Sequence, residues 1–143
     1  MNKLTKLISI LSITNLIACG GWHKSPEDKA KWIVKKISSE LDLTDKQKSS
    51  LEKMKEEYLA KRKELKFGMS KETQAEILAQ VKSSKPDEKK LDSIFDEEKK
   101  KREQMFTFLQ KKFYEFHSTL TQEQKNTLAE KMEKIFKRHF HEF

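Results

Sequence analysis

A single cysteine, Cys19, excludes any disulfide within the chain. Glycine and proline are almost as scarce, and all five (Gly20, Gly21, Gly68, Pro26 and Pro86) fall at positions that read as linkers or breaks. Between them nothing interrupts helix. No alternating run of Val, Ile and Thr is available to make a strand, so the fold class is all-α. Missing too are a glycine-rich phosphate loop, a nucleophile elbow and an H-E-x-x-H pair. Serines and carboxylates are numerous, but no spacing singles out an acid/base pair, and neither an enzyme nor a cofactor is expected. Charged residues make up 38% of the chain and hydrophobic ones 35%, which excludes a large compact core.

What is present begins with a leader. Lys3 and Lys6 precede an apolar stretch from Leu7 to Ala18 that Ser9, Ser12, Thr14 and Asn15 soften. A spanning helix needs roughly 20 predominantly apolar residues, so residues 1–18 read as an export signal, not an anchor. Leu16-Ile17-Ala18-Cys19 resembles the lipobox of bacterial lipoproteins. That resemblance implies diacylglycerol on the Cys19 thiol, cleavage before it and acylation of the new amine. Residues 19–28 would then be a lipidated tether and residues 29–143 the folded domain. The expected address is the cell envelope, facing the periplasm, with inner and outer membrane both open. Loss of Lys3 and Lys6 lowers the formal net charge from +8 to +6. Export removes nucleic acid as a partner for that charge and leaves anionic headgroups or unfolded acidic chains.

Hydrophobic spacing predicts five helices. The first starts near Pro26 with Ser25 as N-cap and carries Ala30, Ile33, Val34, Ile37 and Leu41 on one face, with Trp32 off it. The second follows Thr44, presents Leu51, Met54, Tyr58 and Leu65, and ends at Phe67-Gly68, where Gly68 suits a left-handed C′ position. A short third runs from about Ser70 to Ser83, with Ile77, Leu78 and Val81 expected to face inward. The fourth extends from Pro86 to about Ser118, roughly 50 Å long. Asp96 to Gln104 contains no apolar residue, which predicts a stretch wet around its whole circumference, held by Glu97–Lys101 and Glu98–Arg102 pairs. The fifth follows Thr121, presents Leu128, Met132, Ile135, Phe136 and Phe140, and is expected to fold back on the aromatic half of the fourth.

Two helix starts share one pattern, Leu43-Thr44-x-x-Gln47 and Leu120-Thr121-x-x-Gln124. Threonine at N-cap with glutamine three residues on makes a capping box. The leucines lack an apolar partner at N4 (Lys48 and Lys125), so they are expected to pack on a neighbouring helix. The pair of motifs in a short exported helical chain resembles the LTxxQ-motif family of periplasmic, Spy/CpxP-like proteins, over about Glu40 to Arg138. The resemblance implies extended antiparallel helical hairpins with one long helix, paired into a curved, cradle-like homodimer. Its implied activity is that of an ATP-independent chaperone, a holdase for unfolded or misfolded envelope proteins, here joined to the membrane through its lipid. The alternative is an envelope-stress or metal-responsive regulator acting on a two-component sensor kinase. No metal site is assigned. His139 and His141 are two apart, on nearly opposite faces of a helix, while His23 sits in the tether and His117 is isolated.

Overall fold

The structure, a computed structural model, describes residues 25–139. The leader, Cys19, His23, Phe140 and His141 lie outside the described residues, as does the side chain of His139. Every regular element described is an α-helix: α1 (Pro26–Glu40), α2 (Asp45–Glu64), α3 (Lys71–Lys82), α4 (Glu88–His117) and α5 (Gln122–His139). The all-α class is as the composition requires. None of the described helices is long and apolar enough to cross a membrane.

Local chemistry sets the helix ends. Ser25 caps α1, its hydroxyl accepting from the Asp28 amide at 3.1 Å, and Pro26 occupies the first turn, where its missing N–H costs nothing. The helix closes as a Schellman turn. Asp42 adopts a left-handed φ of 45°, and the Leu43 amide donates back to the Ser38 carbonyl at 3.1 Å. A second Schellman turn closes α2 and corrects the sequence reading. The left-handed C′ residue is Lys66, with φ 47°, and not Gly68. The Phe67 amide donates to the Arg62 carbonyl at 2.9 Å and the Lys66 amide to the Lys63 carbonyl at 3.1 Å. Gly68 follows with a positive φ of 112° of its own. The helix thus stops three residues before the expected Phe67. The start of α4 also moves: the helix begins at Glu88, two residues after the expected Pro86, with Asp87 as its N-cap accepting from the Lys90 amide at 3.1 Å.

The chain divides into two compact units, and the boundaries cut through the two motifs, at Thr44/Asp45 and at Leu120/Thr121. The first unit holds α1 and α5; Ala30, Val34, Leu41 and Leu43 are buried in it, and Lys131 pairs with Glu40 at 3.6 Å. The second holds α2, α3 and α4, with Leu51, Met105, Phe116 and Leu120 buried. Within it α2 and α4 run antiparallel: Gln47 meets Thr119 at one end and Lys112 meets Glu57 further along. The short α3 returns along the start of α4, where Lys90 pairs with Glu76 at 2.6 Å and the Asp87 amide donates to the Gln80 side chain at 2.8 Å. These contacts are polar and α3 buries no residue, so Leu78 and Val81, expected inward, are exposed.

The charged middle of α4 departs from the expected uniform wetness. Asp96, Glu97, Lys99 and Lys100 are exposed, but the Glu98 and Lys101 side chains keep only 12% and 19% of their exposure. The reason is amphipathic reach, since a lysine stem covers apolar surface while its ammonium finds a partner. Lys101 binds Glu97 at 2.8 Å and Glu98 at 2.9 Å, so Glu98 pairs with Lys101 and not with Arg102. A segment without apolar residues still presents one half-buried side.

Candidate functional site

The two motifs supply the buried polar side chains among the described residues, Gln47 and Gln124. At the second, the Thr121 hydroxyl accepts from the Gln124 amide at 3.2 Å, and the Thr121 amide donates to Gln124 Oε1 at 3.0 Å. Two amides of the first turn are thereby satisfied reciprocally. The box consumes only the oxygen of the glutamine. Its Nε2 points the other way and donates to the carbonyls of Leu41 at 3.2 Å and Asp42 at 3.5 Å. Those carbonyls sit at the end of α1, where the last turn of any helix leaves acceptors without intrahelical donors. Gln124 therefore begins α5 and caps α1 with one carboxamide.

The first motif does the equivalent in the second unit. Gln47 Nε2 donates to the Thr119 carbonyl at 2.7 Å, in the turn that closes α4. That turn is otherwise held by its own short bonds, the Thr119 hydroxyl to the Phe116 carbonyl and the Ser118 hydroxyl to the Glu115 carbonyl, both at 2.7 Å. Each motif glutamine thus holds the turn that leads into the other motif. Both are buried, Gln47 at 7% and Gln124 at 9% exposure. Leu43 and Leu120, the motif leucines, are buried as well. Thr44 directly precedes α2, and Thr121 directly precedes α5.

Spacing alone predicts the capping boxes and not these long-range bonds. The residue type carried a signal for them. Glutamate completes a capping box as well as glutamine does, but only glutamine retains an NH₂ group that must find acceptors once buried.

Around α4 the surface is apolar as well as charged. Phe106, Leu109 and Phe113, spaced by three and four residues, form one stripe of the helix and all three are exposed, Phe106 at 69%. Tyr114 beside them is exposed too, and its hydroxyl accepts from Gln110 at 3.2 Å. Phe116, three residues beyond Phe113 on the same row, is buried. Ion pairs border the stripe. Lys112 binds both Glu57 and Glu115, the latter at 2.8 Å, which raises the Lys112 ammonium above its usual range. The same hydrogen bond from Lys112 holds the Glu115 carboxyl below the usual range. His117 is half-buried with its ring 5.7 Å from that of Phe113. Among the described residues no three His, Cys, Asp or Glu side chains converge as a metal site would need.

The chain is thus all-helical, and each of two copies of one short motif stands at the start of one helix and holds the end of another. The sequence model of the LTXXQ motif family matches residues 29–132, and the chain belongs to that family. The chain matches no curated protein and no solved structure.

Proposed function

We propose that the chain is an ATP-independent holdase of the cell envelope, tethered through lipid on Cys19, which binds unfolded proteins as a homodimer and performs no chemistry of its own. The carrying observation is the stripe of Phe106, Leu109 and Phe113, exposed on a helix whose other faces are rich in lysine. Contiguous exposed apolar side chains rimmed by charge are the mark of an interaction surface. Family membership and the basic charge of the exported chain support the same reading. Lysines would draw an unfolded client in at long range, and the aromatic stripe would hold it.

Suppression of aggregation of a denatured client tests this, using the domain without its lipid at substoichiometric and equimolar ratios. Suppression should slow as added salt shortens the Debye length from about 10 Å at 0.1 M to about 3 Å at 1 M, without vanishing. ATP and chelator should leave it unchanged. Replacing Phe106, Leu109 and Phe113 together by serine should abolish it with helicity intact. Loss of activity on chelation would favour the metal-responsive regulator. A folded protein that suppresses nothing would refute the holdase. Sedimentation showing only monomer at tens of micromolar, the order expected to populate an ordinary interface, would count against the dimer.

A further inference from the structure

We propose that the outer face of α1, built around Trp32, lies against the surface of an anionic membrane. The face is defined by what α1 buries on its other side. Ala30 and Val34 are buried, and at 100° per residue Trp32 stands about half a turn round from both. Trp32 is 48% exposed. Lys29 and Lys36 flank it at three and four residues, and Lys35 adds a third cation to the same side, with Lys31 at its border. The Lys36 ammonium lies 4.8 Å from the centre of the Trp32 ring, so cation and indole form one amphipathic unit. Asp28 is the carboxylate on that side, and it is engaged at the helix start, accepting from the Ser25 hydroxyl at 2.9 Å. Glu40 at the other end is paired with Lys131 at 3.6 Å.

The occupant follows from chemistry. Tryptophan is the side chain that prefers the boundary between headgroup and acyl chain, with its ring partly apolar and its N–H wet. Lysines clustered around it match the negative potential of an anionic leaflet. A segment of unfolded protein would be better served by a stripe of several apolar residues, as on α4, than by one indole among cations. Position agrees. Cys19 lies seven residues before Pro26, and a chain of that length spans at most about 25 Å. A lipid on Cys19 would therefore keep α1 within reach of the headgroups, where even weak docking is favoured by high effective concentration. The inference rests on the proposed lipid for that last step alone. The docked face would orient the domain relative to the bilayer, where a lipid by itself leaves it free to turn.

The test uses the full mature protein reconstituted in vesicles, with Trp22→Phe so that Trp32 is the remaining tryptophan. In vesicles containing phosphatidylglycerol, Trp32 emission should shift to shorter wavelength and be quenched by brominated acyl chains. In phosphatidylcholine vesicles both effects should be absent, and salt at about 1 M, where the Debye length is about 3 Å, should reverse them. Lys35→Glu with Lys36→Glu should lose both effects at unchanged helicity. Equal emission in the two lipids, or full retention in the double variant, would overturn the proposal. Flotation separates it from the lipid assignment: an acylated protein floats with both vesicle types, whereas an unacylated one that docks through α1 floats with the anionic vesicles only. An unacylated protein floating with neither refutes the docking as well. The holdase assay contains no lipid, so its failure leaves this result standing.

Discussion

Gln124 lies 83 positions from Leu41 in the sequence, yet its side-chain nitrogen is 3.2 Å from the Leu41 carbonyl oxygen while its side-chain oxygen stays on the Thr121 amide. The two halves of one carboxamide can be separated by mutation. Gln124→Glu keeps an acceptor for the capping box but has no donor for the α1 carbonyls, and it brings negative charge against them. It should destabilise the domain by about 1–3 kcal/mol, the usual cost of a buried polar group left without its partner. Gln47→Glu should act likewise through Thr119. Urea midpoints equal to wild type in both variants would show that the long-range bonds carry no weight.

Thr121→Ala removes the hydroxyl that accepts from the Gln124 amide. The expected cost is about 1 kcal/mol, that of an ordinary N-cap, and Thr44→Ala should cost a similar amount if Thr44 caps α2. Thermal unfolding of each variant measures this. A serine at either position should restore most of the loss.

Lys66 holds a left-handed φ that glycine adopts without penalty. Lys66→Gly should therefore stabilise the domain by up to about 1 kcal/mol. Gly68→Ala should do the reverse, because its φ of 112° is strained for any side chain and a Cβ there would stand 3.4 Å from the Arg62 guanidinium. Chemical denaturation of the pair should show opposite shifts.

Acid should weaken the second unit through its ion pairs. Hydrogen bonds from Lys112, Lys101 and Lys90 lower the carboxyls of Glu115, Glu97 and Glu76, respectively, from the usual 4.5. A carboxyl whose folded pKa is lowered contributes stability that is present above its unfolded value and lost as pH falls through the folded one. Thermal midpoints should accordingly be flat from pH 7 down to about 5 and decline below 4.5. Side-chain NMR gives the local check: Lys112→Met should move the Glu115 titration upward.

Cys19→Ala should abolish labelling by an alkyne fatty acid and leave the leader uncleaved by the lipoprotein peptidase. Persistent labelling of that variant would remove the lipid from the proposed function.

The sequence by itself determined the class and the elements. Glycine and proline confined to breaks, with apolar residues at helical spacing, leave no alternative to five helices, and paired Thr-x-x-Gln boxes mark where two of them begin. These are local interactions within one or two turns, so local pattern suffices to read them. It also suffices for Trp32, whose place off the apolar stripe of α1 already set it apart from buried Ala30 and Val34. Tertiary structure decided what periodicity cannot encode. Whether Phe106, Leu109 and Phe113 are core or surface depends on how α4 meets α2, and one broad apolar face can be buried at Met105 and Phe116 while the rest of it stays open. Whether Glu98 and Lys101 are wet depends on a neighbour that shields their stems. The partners of Gln47 and Gln124 depend on where two distant turns come to lie. A buried amide demands acceptors wherever it is placed, but only the folded chain chooses the carbonyls of Thr119, Leu41 and Asp42.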